Sequence, residues 1–459
     1  MKFVHGNNVL TANGWETDIV IGIDDAGRIA SVEKSLPEKA GAVTDRLDLI
    51  LPAITNVHSH AFQRAMSGLT ETRGPDPHDS FWTWRNLMYR FLDRLNPDHV
   101  EKIARLVYME MLEAGYSHVA EFHYLHHGPE GREYSRLPEM SDRIISAAQS
   151  AGIGLTLLPV HYQYGGCDKR ALQGGQKRFG NNIDRFVNLY HEAEKSISSS
   201  LADYNIGVAP HSLRAIDPER IVDVVSFAAS NPIHMHLAEQ IGEVEEFSAH
   251  YGERPTQWLL DNHDIGSNWC LIHCTQMNDD ETNALAQSGA VAGLCPITES
   301  SLGDGIFNGA KYVNDCGRLA VGSDSNIHIS LFEELKTLEY SQRLRDRGRA
   351  VLATNEKSTG RNLFDQAAAG GAQASQRESG VIKTGMWADL VGIDTSNHWL
   401  ANRTGDFALD SLIFGGNGQN CITDVWSAGR HVVKDGKHVE KDSITRDFMT
   451  ALKQLGQEI

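Results

Sequence analysis

Between about residues 49 and 375 the chain keeps one rhythm, in which a short apolar run is followed by a stretch with helical periodicity. The runs are "DLILPAITNVHSH", "SHVAEFHY", "GIGLTLLPVHYQY", "NIGVAPHSL", "PIHMHLAE", "WCLIHCT", "GAVAGLCP" and "RLAVGSDSN". Eight strand–helix repeats in succession predict an α/β fold, a parallel (β/α)8 TIM-like barrel. The competing arrangement, an open doubly wound sheet, is weakened in its dinucleotide-binding form because no G-x-G-x-x-G follows the first run. The clearest helix lies over 97–114, with Pro97 in its first turn, apolar residues at 100, 103, 106, 107 and 111, and Gly115 as its stop. A second begins near Asp217, read as its N-cap.

The two ends read differently. Residues 1–48 and 376–459 hold short strand-like segments such as "TDIVIGIDDAGRIASVEK" and "CITDVWSAGRHVVKDGKHV", with Gly and Asp at the turns, and the last stretch ends in a helix. The expected organisation is therefore 1–48, then a barrel over 49–375, then 376–459.

The formal net charge is −18, which repels phosphate and argues against a nucleic-acid or anionic-membrane partner. No apolar stretch reaches membrane-spanning length, and the N-terminus lacks the apolar core of a secretory signal. The six cysteines, at 167, 270, 274, 295, 316 and 421, form no C-x-x-C pair, so a reducing cytoplasm is expected. The 21 histidines cluster at the ends of the apolar runs.

A barrel places its chemistry at the C-terminal ends of its strands. Those ends carry His58 and His60, His123 and Tyr124, His161 and Tyr162, His211, His236 with Glu239, His273, and Asp324. His58 and His60 share one face of an extended strand by period two, a spacing that suits two ligands of one metal ion. His236 is the best third ligand; His234 shares its face but lies deeper and reads as a hydrogen-bonded barrel residue sooner than as a ligand. Asp324 is the fourth candidate, although "GSDSN" alone would also fit an N-cap. Glu239 suits proton transfer rather than ligation. Position alone leaves His273 open between a core histidine and a site residue, and period two puts Cys270 and Cys274 on the other face, against helices. Zinc, one ion per subunit, is the expected cofactor of so histidine-rich a set, and iron or manganese could take its place.

This pattern resembles the amidohydrolase superfamily: H-x-H after strand one, histidines after strands five and six, and an aspartate after strand eight. The likeness covers essentially the whole chain and implies a small β-sandwich domain built from both termini and a homodimer. Two-metal members carry a lysine on strand four, which "GVAPHSL" lacks; the H-x-x-E of 236–239 matches the one-metal, deaminating branch. Together "FWTWRNLMYR", "VAEFHYLHH", "APHSLRAI", "HLAEQ" and "GSDSN" resemble members that act on a formimino dicarboxylate. This implies hydrolysis of N-formimino-L-glutamate to N-formyl-L-glutamate and ammonia, a step of histidine degradation. It gives substrate roles to Gln63, Arg85, Tyr124, His211 and Arg214, and catalytic roles to Glu239, His273 and Asp324. Two arginines suit two carboxylates. The alternatives are a guanine-deaminase-like enzyme acting on a heterocycle and a barrel that has lost catalysis; an oxidoreductase would lack its nucleotide motif.

Overall fold

The computed structural model describes residues 1–35, 42–71, 81–228 and 230–456, without the side chains of 81–83 and 86. Part of the expected N-terminal segment and the last three residues of the chain thus lie outside the described residues, as do the side chains of the first three residues of "FWTWRNLMYR". The strands are β1 (Lys2–Thr11), β2 (Gly14–Ile23), β3 (Ile29–Glu33), β4 (Asp45–Pro52), β5 (Ile54–Ser59), β6 (Tyr116–His123), β7 (Gly154–His161), β8 (Asn205–Ile206), β9 (Ala209–Pro210), β10 (Ile233–Leu237), β11 (Trp269–His273), β12 (Val291–Leu294), β13 (Arg318–Val321), β14 (Leu390–Ile393), β15 (Ile422–Ser427), β16 (Arg430–Lys434) and β17 (Lys437–His438).

β5, β6, β7 and β8 pair in parallel in sequence order, with β9 also on β7, and β10 to β13 form a second parallel sheet. Parallel bridges join the two: Val208 to Ile233 and Ser212 to His236 on one side, Ser59 to Asp324 on the other. Helices alternate with these strands, which makes a TIM-barrel-like α/β fold. Every residue of β5, β6, β7, β10 and β11 is buried, as expected when both faces of a parallel sheet are covered.

The strands of both ends meet in one eight-stranded sheet, ordered β17-β16-β15-β14-β4-β1-β2-β3. The first apolar run therefore serves two sheets. It breaks at Ala53, whose N–H donates to the Asp389 carbonyl at 3.0 Å, so that β4 joins the end strands as far as Pro52 and β5 joins the parallel ones. Arg377 ties the two parts together: its guanidinium meets Asp389 at 2.7 Å and Asp203 at 3.3 Å, all three buried. Removing one member of such a buried group costs about 3–5 kcal/mol.

The helix Pro97–Glu113 forms as its signals require. The Asn96 side chain accepts from the His99 N–H, and Gly115 takes φ +92°, open to glycine at little cost. The expected cap at Asp217 is corrected: its side chain makes no cap bond, and its carboxylate accepts from Lys169 at 2.8 Å. The segment after it is only a short helix, Ile221–Val225, flanked by 3-10 turns.

Candidate metal centre and active site

The end of β5 and the turn after β13 are locked by two backbone bonds. The Asp324 N–H donates to the His58 carbonyl and the His60 N–H to the Asp324 carbonyl, each at 2.9 Å. The approach is so close that a Cβ on Gly322 would lie 2.6 Å from the His58 nitrogen. Asn56, Ser59, Ser323 and Asn326 form a buried hydrogen-bonded brace behind it. Asp324 has φ +46° and caps no helix; the next one starts after Ser330.

This lock points His58, His60 and Asp324 at one spot, where His236 joins them from β10. His58 Nε2 lies 3.1 Å from His236 Nε2, and Asp324 Oδ1 lies 3.6 Å from His58 Nε2 and 3.3 Å from His60 Nε2. The chemistry of the donors fits a metal ion. His60 Nδ1 sits 3.0 Å from the Phe122 carbonyl and His236 Nδ1 3.0 Å from the His211 carbonyl. A carbonyl only accepts, so both Nδ1 atoms carry the proton and both Nε2 lone pairs face the centre. Burial keeps these rings neutral: it holds His58 and His236 well below the usual imidazole range and takes His60 down to about 3. Burial also lifts Asp324, to about 7, helped by Glu239 and opposed by His273. A cation at this point would offset the burial cost and favour the carboxylate.

His234 stands apart, with Nε2 2.8 Å from the Ala374 carbonyl, as a hydrogen-bonded residue below the cluster. His273 reaches the site by breaking the strand alternation, with φ +71°, followed by Cys274 at +54°. Of the two cysteines, Cys270 packs with Val57, Ile272, Val291, Cys295, Ala320 and the helix residue Ala374, and Cys274 enters the main core. His273 Nε2 lies 3.8 Å from Glu239 and 4.0 Å from Asp324, and its Nδ1 is 3.2 Å from Glu299. Burial alone would lower its pKa, but Glu239, the Glu299 bond and Asp324 together raise it well above the usual range. Glu239 is itself raised, by burial first and Glu243 next, with His273 pulling the other way. An imidazole set between carboxylates is a natural place to move protons.

Above the centre opens a cavity. Gln63, Arg85, Tyr124, His211 and Arg214 all line it, together with His60, His236, Glu239, His273 and Asp324. Gln63 Nε2 lies 2.8 Å from Tyr124 Oη, and His211 Nδ1 lies 3.0 Å from Ser212 Oγ. The strand-end residues His123 and His161 are not on this wall; the tyrosines that follow them, Tyr124 and Tyr162, are. Sequence reasoning did not find Trp84, Tyr89, Phe179 and Leu302 on the wall, nor Glu299 behind His273. Trp84 and Tyr89 lie in the quoted fragment "FWTWRNLMYR", and Glu299 left a signal as an acidic residue in the first turn of the helix after the seventh run, Pro296–Leu302.

Lone pairs of buried neutral imidazoles, a carboxylate at their centre and proton-carrying groups beside them, on a TIM-barrel-like α/β scaffold, define a metal-dependent hydrolase. The chain belongs to the amidohydrolase family, whose model matches residues 49–432. A formimidoylglutamate deiminase from Pseudomonas aeruginosa is 43% identical over 99% of this chain and 100% of its own. The crystal structure of an amidohydrolase from Brucella melitensis is 44% identical, covers 99% of this chain and 100% of its own, and aligns with a TM-score of 0.94. An adenosine deaminase from Xanthomonas campestris with bound zinc shares the fold, with a TM-score of 0.82 at 19% identity over 99% of this chain and 98% of its own.

Proposed function

We propose that the protein hydrolyses N-formimino-L-glutamate to N-formyl-L-glutamate and ammonia, as a step of histidine degradation, with one zinc ion per subunit held by His58, His60, His236 and Asp324. The observation that carries this reading is one cavity lined both by the metal-facing cluster and by two arginines, Arg85 and Arg214. The identity to the Pseudomonas deiminase supports the same substrate. Three imidazoles and a carboxylate are a donor set that zinc accepts, and the zinc of the Xanthomonas fold neighbour agrees with it. Bound there, zinc would act as a Lewis acid and make water a competent nucleophile at neutral pH.

The chain's own groups do the rest. Arg85 and Arg214 bind the carboxylates of the substrate, and Gln63, Tyr124 and His211 hold its body against the metal-facing wall. Asp324 takes the proton of the attacking water, and His273, held beside it, orients that water. The formimino carbon is electrophilic because the group is cationic, and the carboxylates around His273 favour that cation over a neutral competitor. Glu239 delivers a proton to the terminal nitrogen, so that ammonia leaves the tetrahedral carbon and the formyl amide remains.

The finer architecture belongs to the same reading. β5 to β13 close into one barrel over about 49–375, and the segments 1–48 and 376–459 make a separate small β-sandwich domain, with β4 carrying its sheet on to Pro52. We place the protein in a reducing cytoplasm, in keeping with its free and mostly buried cysteines, as a homodimer that sedimentation would reveal. The test of function is ammonia release from N-formimino-L-glutamate beside guanine and adenosine, with a chelator-treated control. A preference for guanine or adenosine would replace this reading with a nucleobase deaminase; turnover that survives full metal removal would end it.

A further inference from the structure

Gln176 lies in the 3-10 turn Gly174–Arg178 of the connection after β7, and its amide cannot flip. Its Oε1 accepts from the Gln173 backbone N–H at 3.1 Å, and a backbone N–H can only donate. The NH2 group therefore faces Tyr162, with Nε2 3.2 Å from Tyr162 Oη. An NH2 group also only donates, so the tyrosine oxygen accepts and its own O–H is left over. Among the described residues no acceptor is found for that proton, and Tyr162, almost wholly buried, lines the cavity. Tyr89 lines the same cavity from the helix Phe81–Leu92. Both tyrosines lie within electrostatic reach of Arg214, and Arg85 lies over the Tyr89 ring at 5.4 Å from its centre.

We infer that Tyr162, oriented by Gln176 and seconded by Tyr89, donates a hydrogen bond to the substrate carboxylate that Arg214 holds, and so makes this cavity selective for dicarboxylates. The inference rests on the reading above and adds to it a specificity determinant outside the arginines. A neutral O–H pointed into a corner that already holds guanidinium groups has one useful partner, an anion. An uncharged or heterocyclic substrate would leave the buried hydroxyl unsatisfied, and a site rejects a ligand that does so.

The test is Tyr162→Phe, which keeps the ring and its edge-on contact with His211, beside Tyr89→Phe. Binding of the product, N-formyl-L-glutamate, to the metal-loaded protein is measured by calorimetry and needs no turnover; N-formylglycine is the monocarboxylate control. Turnover of N-formimino-L-glutamate and of an N-alkylformamidine without carboxylates is measured in parallel. The expected result for Tyr162→Phe is about 10-fold weaker product binding, from the loss of one hydrogen bond to a charged group. KM for the dicarboxylate rises by a similar factor, while kcat, metal content and the alkylformamidine rate hold. Tyr89→Phe moves the same quantities less. Unchanged dicarboxylate binding, or an equal loss with the uncharged substrate, overturns the inference while wild-type turnover leaves the proposed function standing. A wild type that neither binds the product nor turns over the dicarboxylate overturns both.

Discussion

The two walls of the cavity are built by different means. The metal-facing wall stands on strand ends: His58, His60 and Asp324 are fixed by reciprocal backbone bonds, and His60 and His236 are aimed by carbonyls of neighbouring strands. The wall that carries Arg85 and Arg214 stands on the helix Phe81–Leu92, on the connection after β7 and on the segment after β9. There one buried side chain ties the helix end to the connection. Arg178 is fully buried and donates to the carbonyls of Leu92, Leu95 and His127, the last two at 2.9 and 2.8 Å. One wall is thus held by the sheet, while a buried guanidinium helps to hold the other. Chemistry that needs fixed lone pairs is placed on the rigid scaffold, and substrate selection on elements that can vary without disturbing it.

Substitutions on each side should separate the walls. The largest effect is expected for His60→Ala or His236→Ala, with metal and turnover lost together and kcat down on the order of 10³-fold or more. Elemental analysis beside an ammonia assay checks this; a variant that keeps its metal and its rate would remove that residue from the ligand set. Next is Glu239→Gln, which should keep the metal and lose about 10²-fold in kcat, because a proton-transfer group is gone and no ligand is. Arg85→Met acts on the other wall. KM for the dicarboxylate should rise about 10–100-fold with metal content unchanged, and an uncharged formamidine should be spared. An equal loss on both substrates would mean that the arginine only supports the fold. The smallest effect on chemistry is expected for Arg178→Met. Leaving carbonyls without their donor should lower stability by about 2 kcal/mol and raise KM several-fold, with metal binding intact. Loss of metal in that variant, seen in the same elemental analysis, would show that the two walls are one mechanical unit.

Legibility in the sequence follows the same division. His58, His60, His236 and Asp324 could be read because strand alternation and strand ends are local properties of the chain, repeated once per unit. Arg85 and Arg214 were reached through family likeness, since a lone arginine in a connection carries no local signal. Tyr89, Phe179 and Glu299 were not reached, because what brings them to the cavity is the path of long connections. The Asp217 cap failed for a related reason: its carboxylate found Lys169, 48 residues back in the chain, instead of its own helix.

Residue order alone was enough to determine the succession of strands and helices, the gathering of histidines and Asp324 at one rim, and the acidic character of the chain, since each depends on periodicity or composition. Only the folded structure decided that one apolar run would split at Ala53 between two sheets, that His273 would turn inward through a left-handed backbone, and that Gln176 would bond to a tyrosine on the cavity wall. Those outcomes depend on hydrogen bonds and close approaches between segments far apart in the chain, and no local pattern encodes which distant partner will be there.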